Sequence, residues 1–240
     1  MIFYRCWVFI KLWMLATFLQ HSIRPISSLS LSTSSLRTTA LRSYRTTTTY
    51  LAMTKKVLVP IADGSEEIET ACIQDTLVRF GADVTVASVK PGGDLLCKMS
   101  RGLLVQAHTS IAEAAKESYD LIVLPGGMPG AEHLRDSPEL LQLLKDQAAA
   151  KKYYGAVCAA PAVALATHGL IPDGAAATSF PVPKFRDALA LPSDDRVVIA
   201  DNVITSQGPG TSLEFALALG EKLFGKEKRD EIAKQLLLKE

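Results

Sequence analysis

Tyr154-Gly155-Ala156-Val157-Cys158-Ala159-Ala160-Pro161-Ala162-Val163-Ala164-Leu165-Ala166 joins a short apolar run to a longer alanine-rich one, with a cysteine at the joint. The first part has the length and continuous apolarity of a buried strand, and the second predicts a helix that begins immediately after the cysteine. Such a corner forces its residue outward from the sheet. The first helical turn then points unpaired N–H groups and its positive dipole end at the sulfur. Cys158 is therefore a candidate nucleophile, and the corner is expected to favour thiolate over thiol. The competing physical reading is a small core residue, because free cysteine is among the most buried residue types.

Outward from this corner, short β-rich runs alternate with helical ones, the pattern of an α/β protein with a mostly parallel sheet. The run Val57-Leu58-Val59-Pro60-Ile61 reads as a first strand buried on both faces. A helix is expected over 66–80, with Ile68, Cys72, Ile73, Leu77 and Phe80 on its apolar face and Gly81 as its stop. Strands follow at 83–89, 95–99, 103–107 and 120–124, with helices at 110–117 and 139–150. Beyond the Cys158 corner the pattern predicts a short strand at 175–179, a helix at 184–189 and an edge pair at 197–200 and 203–206. Helices at 211–224 and 226–237 close the chain. No internal repeat or linker interrupts residues 53–240, which form one domain of ample size for a single core.

The first 52 residues are different. They contain no Asp or Glu; an apolar, aromatic front is followed by a Ser/Thr-rich stretch carrying Arg37, Arg42 and Arg45. This composition suits a targeting presequence for a mitochondrion or plastid, with a cytoplasmic protein as the alternative if translation starts at Met53. Six of the 26 Lys+Arg and none of the 25 Asp+Glu lie there, so the remainder carries a formal charge of about −5. An acidic domain without a basic stripe argues against nucleic acid as the main partner. No stable membrane insertion of the mature protein is expected. Cys72, Cys97 and Cys158 follow no metal-binding spacing, which favours a reduced compartment and no structural zinc.

Parallel sheets bind ligands beyond the carboxyl ends of their strands, and four segments should meet there: the loop 62–65, the Gly126-Gly127 loop, Cys158 and the loop 207–210. The motifs Ala62-Asp63-Gly64-Ser65-Glu66-Glu67-Ile68-Glu69, Asp120-Leu121-Ile122-Val123-Leu124-Pro125-Gly126-Gly127, Ala156-Val157-Cys158-Ala159-Ala160-Pro161 and Thr205-Ser206-Gln207-Gly208-Pro209-Gly210-Thr211 resemble, in order and spacing, those of the DJ-1/PfpI family in its Parkinson-disease-protein branch. The resemblance covers residues 55–240. It implies a flavodoxin-like sandwich, single-domain and usually homodimeric, with Cys158 as nucleophile, Glu69 as the acid beside it, and Gly127 and Ala159 supplying oxyanion-hole N–H groups. A carboxyl with a raised pKa could then donate a hydrogen bond to the thiolate. Arg101, Phe180 and Pro209 are further pocket residues on the same basis, and no metal or organic cofactor is implied.

Departures from the family pattern bear on activity. Phe180 stands where some members carry the histidine expected to move protons in the glyoxalase reaction, and Gln207 stands where others carry an arginine. Ala159 occupies the histidine position of the protease-like branch, which disfavours a Cys-His protease or glutamine amidotransferase. His108 and His133 are expected to be exposed, and His168 to cap the end of the Cys158 helix. The expected function is a cysteine-dependent protein deglycase or glutathione-independent glyoxalase acting on 2-oxoaldehydes or their early protein adducts. The alternative is a redox-sensing chaperone whose cysteine is oxidised by peroxide.

Overall fold

The computed structural model describes residues 54–238; the expected presequence lies outside them. The sheet is built from β1 (Lys56–Ile61), β2 (Asp83–Ser88), β5 (Thr109–Ser110), β6 (Leu121–Leu124), β7 (Tyr153–Val157), β8 (Val197–Ala200) and β9 (Val203–Ser206), after a separate hairpin of β3 (Leu96–Lys98) and β4 (Leu104–Gln106). Its spatial order is β5-β2-β1-β6-β7-β9-β8. All neighbours are parallel except β8, which pairs antiparallel with β9 at the edge.

Alternating side chains of the central strands go to opposite faces, and both faces are apolar, hence the continuous hydrophobic runs. Leu58, Ile122, Leu124, Tyr154 and Ala156 enter one core, with Ile111 and Ala114 of α2 (Ile111–Ala114), Leu134 of α3 (Gly130–Arg135), and Leu140 and Leu144 of α4 (Pro138–Ala149). Val57, Val59, Ile61, Leu121, Val123 and Val157 enter the other. They meet Ile73 and Leu77 of α1 (Glu67–Phe80) and Phe215 and Leu219 of α6 (Ser212–Phe224), with α5 (Pro183–Arg186) between α4 and α6 in the chain. The fold is thus a single flavodoxin-like α/β sandwich, as expected. A polar last helix, α7 (Lys226–Gln235), packs Ile232 against Phe80 and Leu217. No helix among the described residues is long and apolar enough to cross a membrane.

Several expectations are corrected. The apolar face read for α1 is rotated: Ile68 is 53% exposed and Cys72 half-buried, while Glu69, Thr70 and Thr76 are buried. The segment 175–179 is no strand; it makes one isolated bridge, Ala177 to Pro192. Both edges of β9 are already paired, so Thr178 N–H bonds the Thr205 hydroxyl at 3.0 Å instead of a backbone ladder. The expected edge pair is found as β8 and β9, with β8 outermost. The helix after Cys158 is not a regular α-helix: a π-helical turn, Pro161–Leu165, runs into a 3-10 turn at Ala166–His168. The helix expected over 184–189 is the four-residue α5, and α3 lies in a stretch to which the sequence pattern assigns no element.

The sheet order places β1, β6, β7 and β9 side by side, so the loops after their carboxyl ends converge. Gly155, in the middle of β7, makes this spacing possible. A Cβ there would stand 2.6 Å from the Ile204 carbonyl oxygen and 3.2 Å from the Phe215 ring. We predict that Gly155→Ala lowers unfolding free energy by about 1–3 kcal/mol, the usual cost of overpacking. Urea denaturation at unchanged slope measures it, and an unshifted midpoint would refute this reading of the β7–β9 spacing.

Candidate active site

Cys158 occupies the residue after β7 with φ of 64°, the left-handed region that non-glycine residues seldom adopt. Both of its backbone groups are tied down. Its N–H donates to Ser206 O at 3.0 Å, extending the β7–β9 register, and its carbonyl accepts from Phe180 N–H at 2.8 Å. The strained turn raises the thiol off the sheet toward the loop after β6. There the N–H groups of Gly127 and Ala159 lie near enough to the sulfur to favour its ionised form.

Close approach explains the glycine pair. A Cβ on Gly126 would fall 2.6 Å from the Cys158 Cβ, and one on Gly127, whose φ is 84°, would collide with the Gly64 carbonyl oxygen. A backbone bond locks the two loops together, Glu66 N–H donating to Gly126 O at 3.0 Å, and within the first loop Ser65 Oγ accepts from Ala62 N–H at 3.0 Å. Glu66 also caps α1, its carboxylate accepting from Glu69 N–H at 2.7 Å.

Glu69, one turn into α1, is fully buried. Its Oε2 accepts from Gly126 N–H at 2.7 Å. Its Oε1 has no hydrogen-bond partner; the Cys158 thiol is near enough for the two groups to shift each other, without good hydrogen-bond geometry. Burial raises the Glu69 carboxyl from its usual value to about 7; the Gly126 N–H and the thiol oppose that rise, and the charge of Glu66 adds to it. Burial likewise pushes the Cys158 thiol up to about 12, and the negative charge of Glu69 adds to it, against the pull of the Gly127 and Ala159 N–H groups.

The expectation that the corner alone favours thiolate is thereby corrected: beside an ionised Glu69, desolvation and like charge outweigh the two N–H groups. The pair shares one negative charge more readily than it carries two. A protonated Glu69 removes the repulsion and offers the sulfur a donor instead.

Phe180, tethered through its N–H to Cys158, lies at the same spot. A Cβ on Gly208 would stand 3.3 Å from the Phe180 ring and 4.0 Å from Glu69 Oε1. Pro209, half-buried, follows at the start of the 3-10 turn Pro209–Thr211. Gln207 turns away, its amide donating to the carbonyls of Asp194 and Asp195 at 2.8 and 3.2 Å. Arg101 is solvent-exposed in the β3–β4 turn; among the described residues its guanidinium bonds only the Ser100 carbonyl, at 3.4 Å. Glu67 accepts from Arg101 N–H at 2.8 Å and from Ser100 Oγ at 2.9 Å, so its carboxylate holds that turn against α1.

None of the described histidines joins the thiol. His108 Nδ1 accepts from Val86 N–H at 3.1 Å, and His133 is exposed on α3. His168 Nε2 bonds the Arg135 carbonyl at 2.9 Å, capping α3 rather than its own turn. Among the described residues no three His, Cys, Asp or Glu side chains gather as a metal site. A cavity of about 450 Å³ at the carboxyl ends of β1 and β2 is lined by Asp63, Lys90, Ser110, Asp136 and Glu139 and excludes the thiol. Its one lysine is engaged by Asp63 and Asp94. The strained cysteine and buried acid, rather than that cavity, form the candidate site. Gly126 was legible only as part of a glycine loop; its N–H bond to Glu69 depends on a fold contact that no spacing announces.

The chain matches the DJ-1/PfpI family over residues 55–222. Protein DJ-1 homolog B of Arabidopsis thaliana is 48% identical over 187 residues, which are 77% of this chain and 42% of that protein. The chain therefore spans under half the length of that relative. The glutathione-independent glyoxalase DJR-1.2 of Caenorhabditis elegans is 37% identical over 184 residues, covering 76% of this chain and 95% of its own length. The solved structure of Toxoplasma gondii DJ-1, oxidized, aligns with a TM-score of 0.74 at 46% identity, covering 78% of this chain and 100% of its own.

The Glu69 shift has a measurable consequence. Below its usual pKa the carboxyl is protonated in both folded and unfolded chains and carries no penalty. As pH rises toward 7 the unfolded chain ionises first, so stability falls, by up to about 3 kcal/mol for a shift of this size. We predict that unfolding free energy of the native chain minus that of Glu69→Gln declines by this amount between pH 4.5 and 8. A flat difference would show that Glu69 is solvated.

Proposed function

The chain belongs to the DJ-1/PfpI family, and from that membership and the Cys158–Glu69 pair we propose that it is a cysteine-dependent enzyme of carbonyl stress, a protein deglycase or glutathione-independent glyoxalase. Its substrates are 2-oxoaldehydes or the early adducts they form on proteins. The observation that carries this reading is the buried, unpartnered Glu69 Oε1 beside a thiol that faces two backbone N–H groups. A relative bearing the glyoxalase name at 37% identity supports it.

In this mechanism the Cys158 thiolate attacks the aldehyde carbon, and the carbonyl oxygen takes up a proton to give a hemithioacetal. The N–H groups of Gly127 and Ala159 stabilise the developing oxyanion. Glu69 removes the proton from the former aldehyde carbon and returns one to the neighbouring carbon, converting the adduct to a 2-hydroxy thioester. Water hydrolyses the thioester, releasing a 2-hydroxy acid and the thiol. One water is consumed overall and no external oxidant or reductant is needed. Phe180 cannot carry protons, so Glu69 alone does this work, and turnover is slower than a histidine-assisted site would give, where a positioned acid or base contributes about 10²–10⁴-fold.

A second reading rests on the same orphan oxygen. Peroxide would convert the thiol to a sulfinic acid, and Glu69 Oε1 and the two N–H groups would hold its oxygens, leaving a redox-responsive chaperone with little turnover. The proposed homodimer is supported by an exposed apolar face around Arg101: Ile68 on α1, and Leu103 and Leu104 in the adjoining turn and β4, are 53%, 56% and 61% exposed.

Methylglyoxal should be converted to lactate by the full chain, and Cys158→Ala should remove turnover entirely. Full activity in Cys158→Ala would sink the enzyme reading; absence of turnover, with two oxygens gained selectively at Cys158 under mild peroxide, would favour the redox reading. Sedimentation should show twice the chain mass, and Leu104→Glu should shift it toward the monomer. A native chain that sediments as a monomer would refute the dimer.

A further inference from the structure

The Phe180 ring has an unusual position for a large apolar side chain. Its backbone N–H is committed to the Cys158 carbonyl at 2.8 Å, so its main chain is held beside that of Cys158. The ring nonetheless remains 38% exposed. Its edge and Glu69 Oε1 flank one point above Gly208, where the absence of a side chain leaves room for both. Gln207, the polar residue nearest in sequence, has its amide bound to the Asp194 and Asp195 carbonyls, while half-buried Pro209 follows on the other side. The approach to the thiol on this flank is therefore bordered by an aromatic ring and a proline, with the Glu69 carboxyl buried beside it.

We infer that Phe180 is a specificity-determining residue, and that the site takes 2-oxoaldehydes carrying an aromatic or extended apolar substituent in preference to methylglyoxal. This rests on the carbonyl-stress reading and names its substrate class. An aryl group on the carbonyl carbon next to the aldehyde would lie against the ring while the aldehyde carbon meets the sulfur. Ring pairs favour offset or edge-to-face contact beyond simple burial. A methyl substituent gains little there. The same wall disfavours the charged, solvated side chains of early protein adducts, so small apolar aldehydes outrank modified proteins.

The test compares phenylglyoxal with methylglyoxal on the full chain, on Phe180→Ala and on Phe180→Leu. The first readout is the concentration of each aldehyde that halves the rate of Cys158 alkylation by iodoacetamide, followed by mass spectrometry and normalised to N-acetylcysteine. The second is kcat/KM for each. In the native chain phenylglyoxal should be preferred in both. Phe180→Ala should cut the preference by about three- to tenfold, the range that an aromatic pair supplies, with Phe180→Leu between the two. An equal preference in native and Phe180→Ala chains overturns the inference, whether or not the enzyme turns over. Ring-dependent protection without turnover of either aldehyde upholds the inference about recognition and refutes the enzyme reading instead.

Discussion

A single negative charge, shared between a buried carboxyl and a half-buried thiol, governs the arrangement of this protein. Glu69 is fully buried and Cys158 half-buried; the charge of Glu69 raises the thiol's cost of ionising, while the thiol eases that of the carboxyl. The surrounding backbone offsets part of that cost at fixed points: Gly126 N–H on one carboxylate oxygen, Gly127 and Ala159 N–H on the sulfur. Such donors need no reorganisation when charge moves from carboxyl to sulfur or to a substrate oxygen. What the pair loses in stability it gains in a proton that transfers over a short distance.

The fold supplies the means of holding these groups. Four adjacent parallel strands end at one rim, so the loops after β1, β6, β7 and β9 are neighbours without being neighbours in sequence. Glycine at 126 and 127 allows two backbones to approach more closely than any side chain permits. The left-handed turn at Cys158 costs on the order of 1–3 kcal/mol, and it persists because a hydrogen bond donated to the Ser206 carbonyl and one accepted from Phe180 N–H fix both sides of the residue. The same Phe180 bond brings an aromatic ring to the mouth of the site, coupling the thiol's geometry to the character of the approach.

Much of this was legible in the chain. The strand runs 57–61, 121–124 and 153–157 are apolar throughout because both sheet faces are covered, and the corner at Cys158 follows from an apolar run meeting an alanine-rich one. The orientation of α1 was not legible. Its spacing puts Ile68 and Cys72 inward, but the contact between Glu69 and Gly126 lies 57 residues away in sequence and turns a carboxylate to the core instead. The segment 175–179 has strand-like composition, yet β9 has no free edge to offer it. The thiol's tendency was misread for a related reason: dipoles and N–H groups are local and visible in sequence, whereas desolvation and a like charge from another element are not.

The pH dependence of Cys158 alkylation, compared between the native chain and Glu69→Gln, tests the shared charge most directly. The account predicts that native reactivity rises only in the alkaline range, because burial and the charge of an ionised Glu69 hold the thiol up, while Glu69→Gln removes that charge and moves the midpoint to lower pH by about one unit or more, as strongly coupled groups require. Superimposable profiles in the two proteins would mean that the thiol ionises without regard to Glu69, and would contradict it.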